Sequence, residues 1–365
     1  SFAAAAEISM LTVDEAHCIS QWGQDFRPSY LRIQDFINSL PRRPIVSAFT
    51  ATATREVKDD IAQTLRLRDP EIVITGFDRP NLYYRVETTR RKDAFVADYV
   101  RSHPGESGII YCATRKNVDA VQEMLRGEDI SAARYHAGMT NEERRQSQND
   151  FIYDTAPVIV ATHAFGMGID KSNVRYVIHY NMPQSMENYY QEAGRAGRDG
   201  LPSQCILLFS PQDIVINRFL LDHKENDDLD DEAADLLRAR DNQRLQAMAN
   251  YCQTTDCLRN YILRYFGEEP AEPCGSCGNC DREFEEVDMT AQAKWMINCV
   301  AETRGRYGKG VVLNTLRGAN MARLRELGAM DYRSYGQLKD CTRDELDCLL
   351  AQLLEEGYLV QTDDQ

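Results

Sequence analysis

Through its first 210 or so residues the chain repeats one pattern: a short apolar run, often β-branched, then a polar or glycine-bearing break, then a stretch at helical spacing. Runs of this kind, apolar on both faces, read as strands of a parallel sheet covered on each side. Their alternation with helices predicts an α/β architecture. Strands are predicted at residues 8–13, 45–49 and 71–75, then at 107–111, 157–161, 176–180 and 205–209. The order Thr140-Asn141-Glu142-Glu143 is a capping box opening a helix toward Phe151. No repeat of solenoid length is visible.

Open α/β sheets place their chemistry beyond the carboxyl ends of their strands. The run 8–13 ends in Asp14-Glu15-Ala16-His17. One carboxylate there can hold Mg²⁺ through its waters, and the other can orient or deprotonate an attacking water. Two solvated acids at a strand end would look the same. Far downstream, Gln191-Glu192-Ala193-Gly194-Arg195-Ala196-Gly197-Arg198 sets two arginines three apart, on one face if a helix begins there. Paired guanidiniums suit the charge that develops on a transferring phosphoryl group. The phosphate loop G-x-x-x-x-G-K-[ST] is not in the sequence, and the nearest approach, Gly308-Lys309-Gly310, fails the pattern.

Further segments fall in a telling order: Ser20-Gln21-Trp22-Gly23-Gln24-Asp25-Phe26-Arg27-Pro28, Thr50-Ala51-Thr52-Ala53-Thr54, Phe77-Asp78-Arg79-Pro80-Asn81, Ile109-Ile110-Tyr111-Cys112, Tyr135-His136-Ala137-Gly138-Met139 and Phe165-Gly166-Met167-Gly168-Ile169-Asp170. With the acid box before them and the double-arginine segment after them, they closely resemble a RecQ-family DNA helicase of superfamily 2. The resemblance covers nearly the whole chain. It implies ATP-driven 3′-to-5′ unwinding between two RecA-like lobes, with Mg²⁺ and ATP at their interface. It places Asp14, Glu15, His17, Gly168, Asp170, Gln191 and Arg198 at the nucleotide, with Arg198 as the first choice of arginine finger and Arg195 the second. Trp22, Phe26 and Arg27 fall in the family's aromatic-rich loop, where rings stack on unpaired bases. Thr50, Thr52 and His136 are expected on the DNA side, Thr50 to Thr54 linking hydrolysis to DNA binding. Gln24 stands where the family usually has His, and its amide can hydrogen-bond but cannot titrate. The family carries its phosphate loop upstream of the acid box. The chain is therefore expected to begin after it and to hydrolyse little ATP alone.

The cysteines are an independent signal. Of eleven, Cys257, Cys274, Cys277 and Cys280 show ligand arithmetic, with sixteen, two and two residues between them. Two-residue spacings let successive thiolates turn toward one tetrahedral ion, which favours Zn²⁺, with an iron–sulfur cluster as the rival. Cys252 is close enough to substitute for Cys257, but the resemblance selects zinc and Cys257. The remaining cysteines, Cys18, Cys112, Cys205, Cys299, Cys341 and Cys348, read as small core hydrophobes.

A net charge of −15 argues against a nucleic-acid partner only if charge is averaged. Residues 222–235 carry eight acids, whereas residues 304–339 carry eight bases against two acids. Arg304, Lys309, Arg317 and Arg323 are the candidates there for a duplex backbone. After Thr342-Arg343-Asp344-Glu345, a second capping box, Leu346, Leu349, Leu350, Leu353 and Leu354 share one helical face predicted to be core.

The fold expected is RecA-like parallel-sheet lobes, the first partial, over residues 1–77 and 78–210, with residues 77–81 as the hinge. A helical zinc-binding subdomain (211–285) and a winged-helix domain with its wing cut short (286–365) follow. The partner expected is DNA at single-strand/duplex junctions, with repair and single-strand-binding proteins beside it. No membrane partner is expected, and a bacterial, cytoplasmic, nucleoid setting is favoured over a nucleus. A DNA-binding module without catalysis is the alternative.

Overall fold

The computed structural model describes residues 7–20, 26–163, 165, 171–223, 231–282 and 287–360. They fall into two compact units, residues 1–282 and 283–365.

The first unit opens with β1 (Met10–Val13) and β2 (Ile45–Ala48), paired in parallel, with α1 (Pro28–Ser39) between them and α2 (Arg55–Thr64) after. Val13, Ile37, Val57, Ile61 and Leu65 form their core. Met10, Ile45 and Phe49 remain more than half exposed. The predicted strand at 71–75 is irregular. Ile72, Val73 and Ile74 have strand composition but are mostly exposed, and a strand exists only where a neighbour completes its ladder.

A six-stranded, fully parallel sheet follows. Its strands are β3 (Leu82–Thr88), β4 (Ser107–Tyr111), β5 (Ala132–Tyr135), β6 (Val158–Ala161), β7 (Val174–His179) and β8 (Ser203–Phe209), in the order β3-β8-β7-β4-β6-β5. Between them run α3 (Lys92–Ser102), α4 (Arg115–Gly127), α5 (Asn141–Ile152) and α6 (Met186–Ala193). Thr140 and Glu143 form the predicted capping box on α5. β4, β6 and β8 are almost wholly buried, as their uninterrupted apolar sequences require. The strand β3 was not anticipated. It is an edge strand, and its alternation Leu82, Tyr84, Val86 inward against Tyr83, Arg85 outward is half-buried patterning.

Gly108 in β4 shows how tightly the layers meet. A Cβ there would stand 1.9 Å from a ring carbon of Tyr176, a fully buried side chain that cannot step aside. Gly108→Ala is therefore expected to destabilise the unit by roughly 3 kcal/mol or more, read as a lowered midpoint in urea unfolding.

Beyond the sheet lie α7 (Pro211–Asp222), α8 (Asp231–Gln253) and α9 (Leu258–Tyr265), then a cysteine-bearing loop. Residues 77–81, the expected hinge, make several contacts. Phe77 stacks on Phe266 with centroids 4.5 Å apart, and its N–H donates to Glu268 Oε1 at 2.6 Å. The Tyr190 hydroxyl donates to Phe77 O at 3.0 Å.

The second unit packs α10 (Thr290–Glu302), α11 (Lys309–Leu316), α12 (Ala322–Glu326) and α13 (Arg343–Glu355). Leu346, Leu349, Leu350 and Leu353 of α13 enter a core with Met296, Val312 and Leu316. Thr342 and Glu345 cap α13 as predicted. Two cysteines depart from their predicted burial: Cys348 is exposed and Cys341 only partly covered. No described helix is long and apolar enough to cross a membrane.

Candidate functional site

At the end of β1 the chain turns sharply. Glu15 has φ 47° and ψ 44°, a left-handed conformation that costs energy for any residue with a Cβ. The turn is held because Ala16 N donates to Phe49 O at 2.9 Å, tying together the ends of β1 and β2. Asp14 is exposed, and its Oδ1 accepts from Glu15 N at 2.9 Å. Glu15 Oε2 lies 3.3 Å from His17 Nδ1, and that same nitrogen is 3.0 Å from Thr50 Oγ1. Thr50 Oγ1 also accepts from Thr52 N at 3.4 Å. Gln191 Nε2, on α6, donates to Thr52 Oγ1 at 3.0 Å. A hydrogen-bonded path thus runs from the acid box of the first sheet to the helix preceding the two arginines.

Of the residues expected on the DNA side, Thr52 is 2 % exposed, and Thr50, half-buried and lining the cleft, is engaged by His17. His136 is likewise buried, bonded to Asp119 Oδ1 at 3.2 Å and accepting from Gly138 N at 3.1 Å.

The arginines also sit differently from the prediction. The helix α6 ends at Ala193, and Arg195 and Arg198 lie on the turn beyond it. Gly197 causes this: its φ is +56°, and a Cβ there would stand 2.4 Å from Asn81 Nδ2. Both arginines nevertheless line one cleft of about 1720 Å³ together with Glu15, His17, Arg27 and Gln191. Asp14 is not among its described lining residues. Burial pushes the Tyr111 hydroxyl far up, against the pull of the nearby Arg195 guanidinium. Sequence reasoning missed Arg79, which donates to the carbonyls of Gly194, Ala196 and Gly197 at 3.1–3.2 Å. Its signal was the Asp78-Arg79-Pro80-Asn81 segment itself. Phe26 and Arg27 are half-buried, whereas Trp22, Gly168 and Asp170 lie outside the described residues.

The four predicted cysteine sulfurs lie within 4.8 Å of one another. Cys274 and Cys280 are 3.9 Å apart and Cys257 and Cys277 are 4.0 Å apart. A tetrahedral ion with Zn–S bonds of about 2.3 Å separates its sulfurs by about 3.8 Å, so the residues fit zinc. Cys257 caps α9, its sulfur accepting from Asn260 N, and Cys252 is buried outside the cluster. Burial pushes the Cys280 thiol up to about 12. For Cys274 burial is outweighed by the Ser276 amide and by Cys257, Arg259 and Cys277, bringing its thiol down to about 7.

In the second unit Arg304, Lys309, Arg317 and Arg323 are all exposed. Lys309 pairs with Asp347 at 2.8 Å and Arg323 approaches Glu326 at 3.7 Å. Such exposed pairs are weak enough to yield to a phosphate.

Three family models match in sequence: the helicase conserved C-terminal domain over residues 91–200, RecQ zinc-binding over 211–281 and the RQC domain over 283–365. The ATP-dependent DNA helicase RecQ of Bacillus subtilis is 43 % identical over 98 % of this chain and 59 % of its own length. The protein of the same name from Pasteurella multocida is 36 % identical over 98 % of this chain and 55 % of its length. The ATP-dependent helicase wrn-1 of Caenorhabditis elegans is 38 % identical over 96 % of this chain and 35 % of its length. The chain thus spans little more than half of its bacterial relatives. Among solved structures, S. cerevisiae Dbp5 bound to RNA and ADP BeF3 superimposes with a TM-score of 0.49 at 19 % identity, over 64 % of this chain and 63 % of that one. With three consecutive domain matches, and relatives aligned along almost every residue, the chain belongs to the RecQ helicase family.

Proposed function

We propose that the protein carrying this chain is a 3′-to-5′ DNA helicase driven by ATP hydrolysis between two lobes. It would act in the repair, recombination or replication of chromosomal DNA, beside single-strand-binding proteins in a bacterial cytoplasm. The observation that carries this reading is the path from Glu15 through His17, Thr50 and Thr52 to Gln191. It joins a strained acid at one strand end to the element that presents Arg195 and Arg198. A path of this kind makes the acid's position depend on lobe closure.

In this reading Glu15 orients the attacking water and accepts its proton, and Arg198 offsets charge gathering on the transferred phosphoryl group. Mg²⁺, held near Asp14 and Glu15 through its waters, would neutralise phosphate charge when bound. Zinc would pin the helical platform to the second lobe, and the bases of the second unit would hold the duplex backbone. The 365-residue chain contains no phosphate loop, so by itself it should show little ATP turnover.

Glu15→Gln in the full-length protein tests the assignment. The substitution preserves shape but removes the base. DNA-stimulated hydrolysis is expected to fall by roughly a hundredfold or more, while DNA affinity stays within about twofold. Full-length protein that binds DNA but shows no stimulated hydrolysis would instead be a binding module.

A further inference from the structure

Arg259, in the first turn of α9, is 6 % exposed, and its guanidinium is spent on one short segment. It donates to Asp78 Oδ1 at 2.8 Å and to the carbonyls of Arg79, Pro80 and Leu82 at 2.6, 3.4 and 2.7 Å. Its charge also lies 5.6 Å from the centre of the Tyr84 ring. A buried guanidinium is tolerated only when its donors are satisfied in this way, so the segment and the arginine fix each other.

The same segment reaches in the opposite direction. Arg79 contributes three hydrogen bonds to the carbonyls of residues 194–197, and Asn81 Nδ2 adds two, to Gly197 O at 2.9 Å and Leu201 O at 3.0 Å. The turn carrying Arg195 and Arg198 thus takes five side-chain hydrogen bonds from two residues of the segment that Arg259 grips.

Arg259 is in turn tied to the cysteine cluster through the helix turn that Cys257 caps. It lies two residues after Cys257, whose sulfur accepts from Cys274 N at 3.3 Å. The cysteine loop also docks on β3, Gly278 N donating to Tyr84 O at 2.8 Å and the Tyr83 hydroxyl donating to Asp281 Oδ2 at 2.7 Å. An ion filling the cluster would lock the first turn of α9 and this loop together. Losing it would release both supports of residues 78–84 at once.

We propose that Arg259, Arg79 and Asn81 are positioning residues that make the order of the turn at 194–201 depend on the filled cysteine cluster. The site is then more than a local staple, because its occupancy reaches the two arginines of the cleft. The inference rests on the phosphate-facing reading of Arg195 and Arg198 for its catalytic consequence, but not for the linkage itself.

Hydrogen exchange on the 365-residue chain separates the two. Exchange in residues 194–201 is followed in the zinc-loaded chain, after chelation, and in Arg79→Ala and Arg259→Gln, with bound zinc measured for each. Peptides from β4 serve as the global control. Chelation is expected to speed exchange in residues 194–201 by about tenfold, a loss of about 1.4 kcal/mol of local protection. Arg79→Ala should do the same with one zinc still bound. Asn81→Ala removes two of the five bonds, keeps both arginines, and decides the matter if Arg79→Ala does not fold. Faster exchange confined to the cysteine loop after chelation, or unchanged exchange at 194–201 in the zinc-bound variants, overturns the linkage. In the full-length protein Arg79→Ala should lower kcat about tenfold with the ATP KM nearly unchanged, as expected for a misplaced transition-state contact. Failure of the phosphate reading would appear separately, as Arg198→Ala hydrolysing ATP normally.

Discussion

Arg198→Ala in the full-length protein is expected to lower DNA-stimulated kcat by about a thousandfold, with DNA affinity held within about threefold. The magnitude follows from where the charge sits. Arg198 lies just past Gly197, whose positive φ ends any helical continuation and turns the chain into the cleft shared with Glu15 and Gln191. The backbone before it is held by Arg79 and Asn81, so the guanidinium is placed without relying on its own long side chain. An arginine delivered to developing phosphoryl charge from a fixed backbone pays little reorganisation during the reaction. Arg195 lies near the buried Tyr111 hydroxyl and is expected to matter less, about tenfold, on the same assay. Arg198→Lys should recover little, because a lysine cannot present two parallel donors to phosphate oxygens. Parallel titration with fluorescent DNA distinguishes a lost hydrolysis step from lost binding. A kcat within twofold of the parent for Arg198→Ala would remove Arg198 from the reaction.

The parts of the molecule that were legible in the sequence are those whose physics is local. Uninterrupted apolar runs became β4, β6 and β8 because a parallel sheet covered on both faces accepts little else. The two capping boxes formed because the hydroxyl and carboxylate that make them lie three residues apart. The cysteines converged because two-residue spacings leave three of them few places to go. What was not legible depends on partners far along the chain. Residues 71–75 have strand composition but no strand beside them. The strand β3 was masked by its mixed pattern, which only its place at the sheet edge explains. The partners of Thr52 and His136 were not legible either, since Gln191 lies 139 residues from Thr52 and Asp119 lies on another element from His136. The spacing of the two arginines puts them on one face only if a helix runs there, and Gly197, held close to Asn81 at positive φ, keeps one from doing so. Arg259 escaped notice for the same reason, since its partners are 177 to 181 residues earlier.

Cys277→Ser is the other substitution with a large expected effect, and its readouts are zinc content and thermal stability. Cys277 is fully buried, its sulfur 4.0 Å from that of Cys257, and its backbone carbonyl caps the loop through Asp281 N at 3.0 Å. A hydroxyl in place of the thiol cannot supply the thiolate that zinc requires, so three ligands remain and affinity should fall by orders of magnitude. Binding free energy at such a site is folding free energy, because the four sulfurs converge only in the folded chain. Not all of it is expected to appear as lost stability. Phe266 would still stack on Phe77, Tyr265 would still donate to Glu187 at 2.8 Å, and α9 would keep its apolar face in the core of the second lobe. The remainder, several kcal/mol, should lower the melting temperature of the first unit by roughly 10 °C. The core of the second unit, built from α10 to α13 without a cysteine ligand, should melt where it did before. Treating the parent chain with a strong chelator should reproduce the shift, and restoring zinc should reverse it in the parent but not in the variant. A variant that keeps one zinc per chain and its parent's melting temperature would mean that Cys277 is not a ligand. A variant that loses zinc without loss of stability would mean that the packing of α9, not the metal, holds the platform in place.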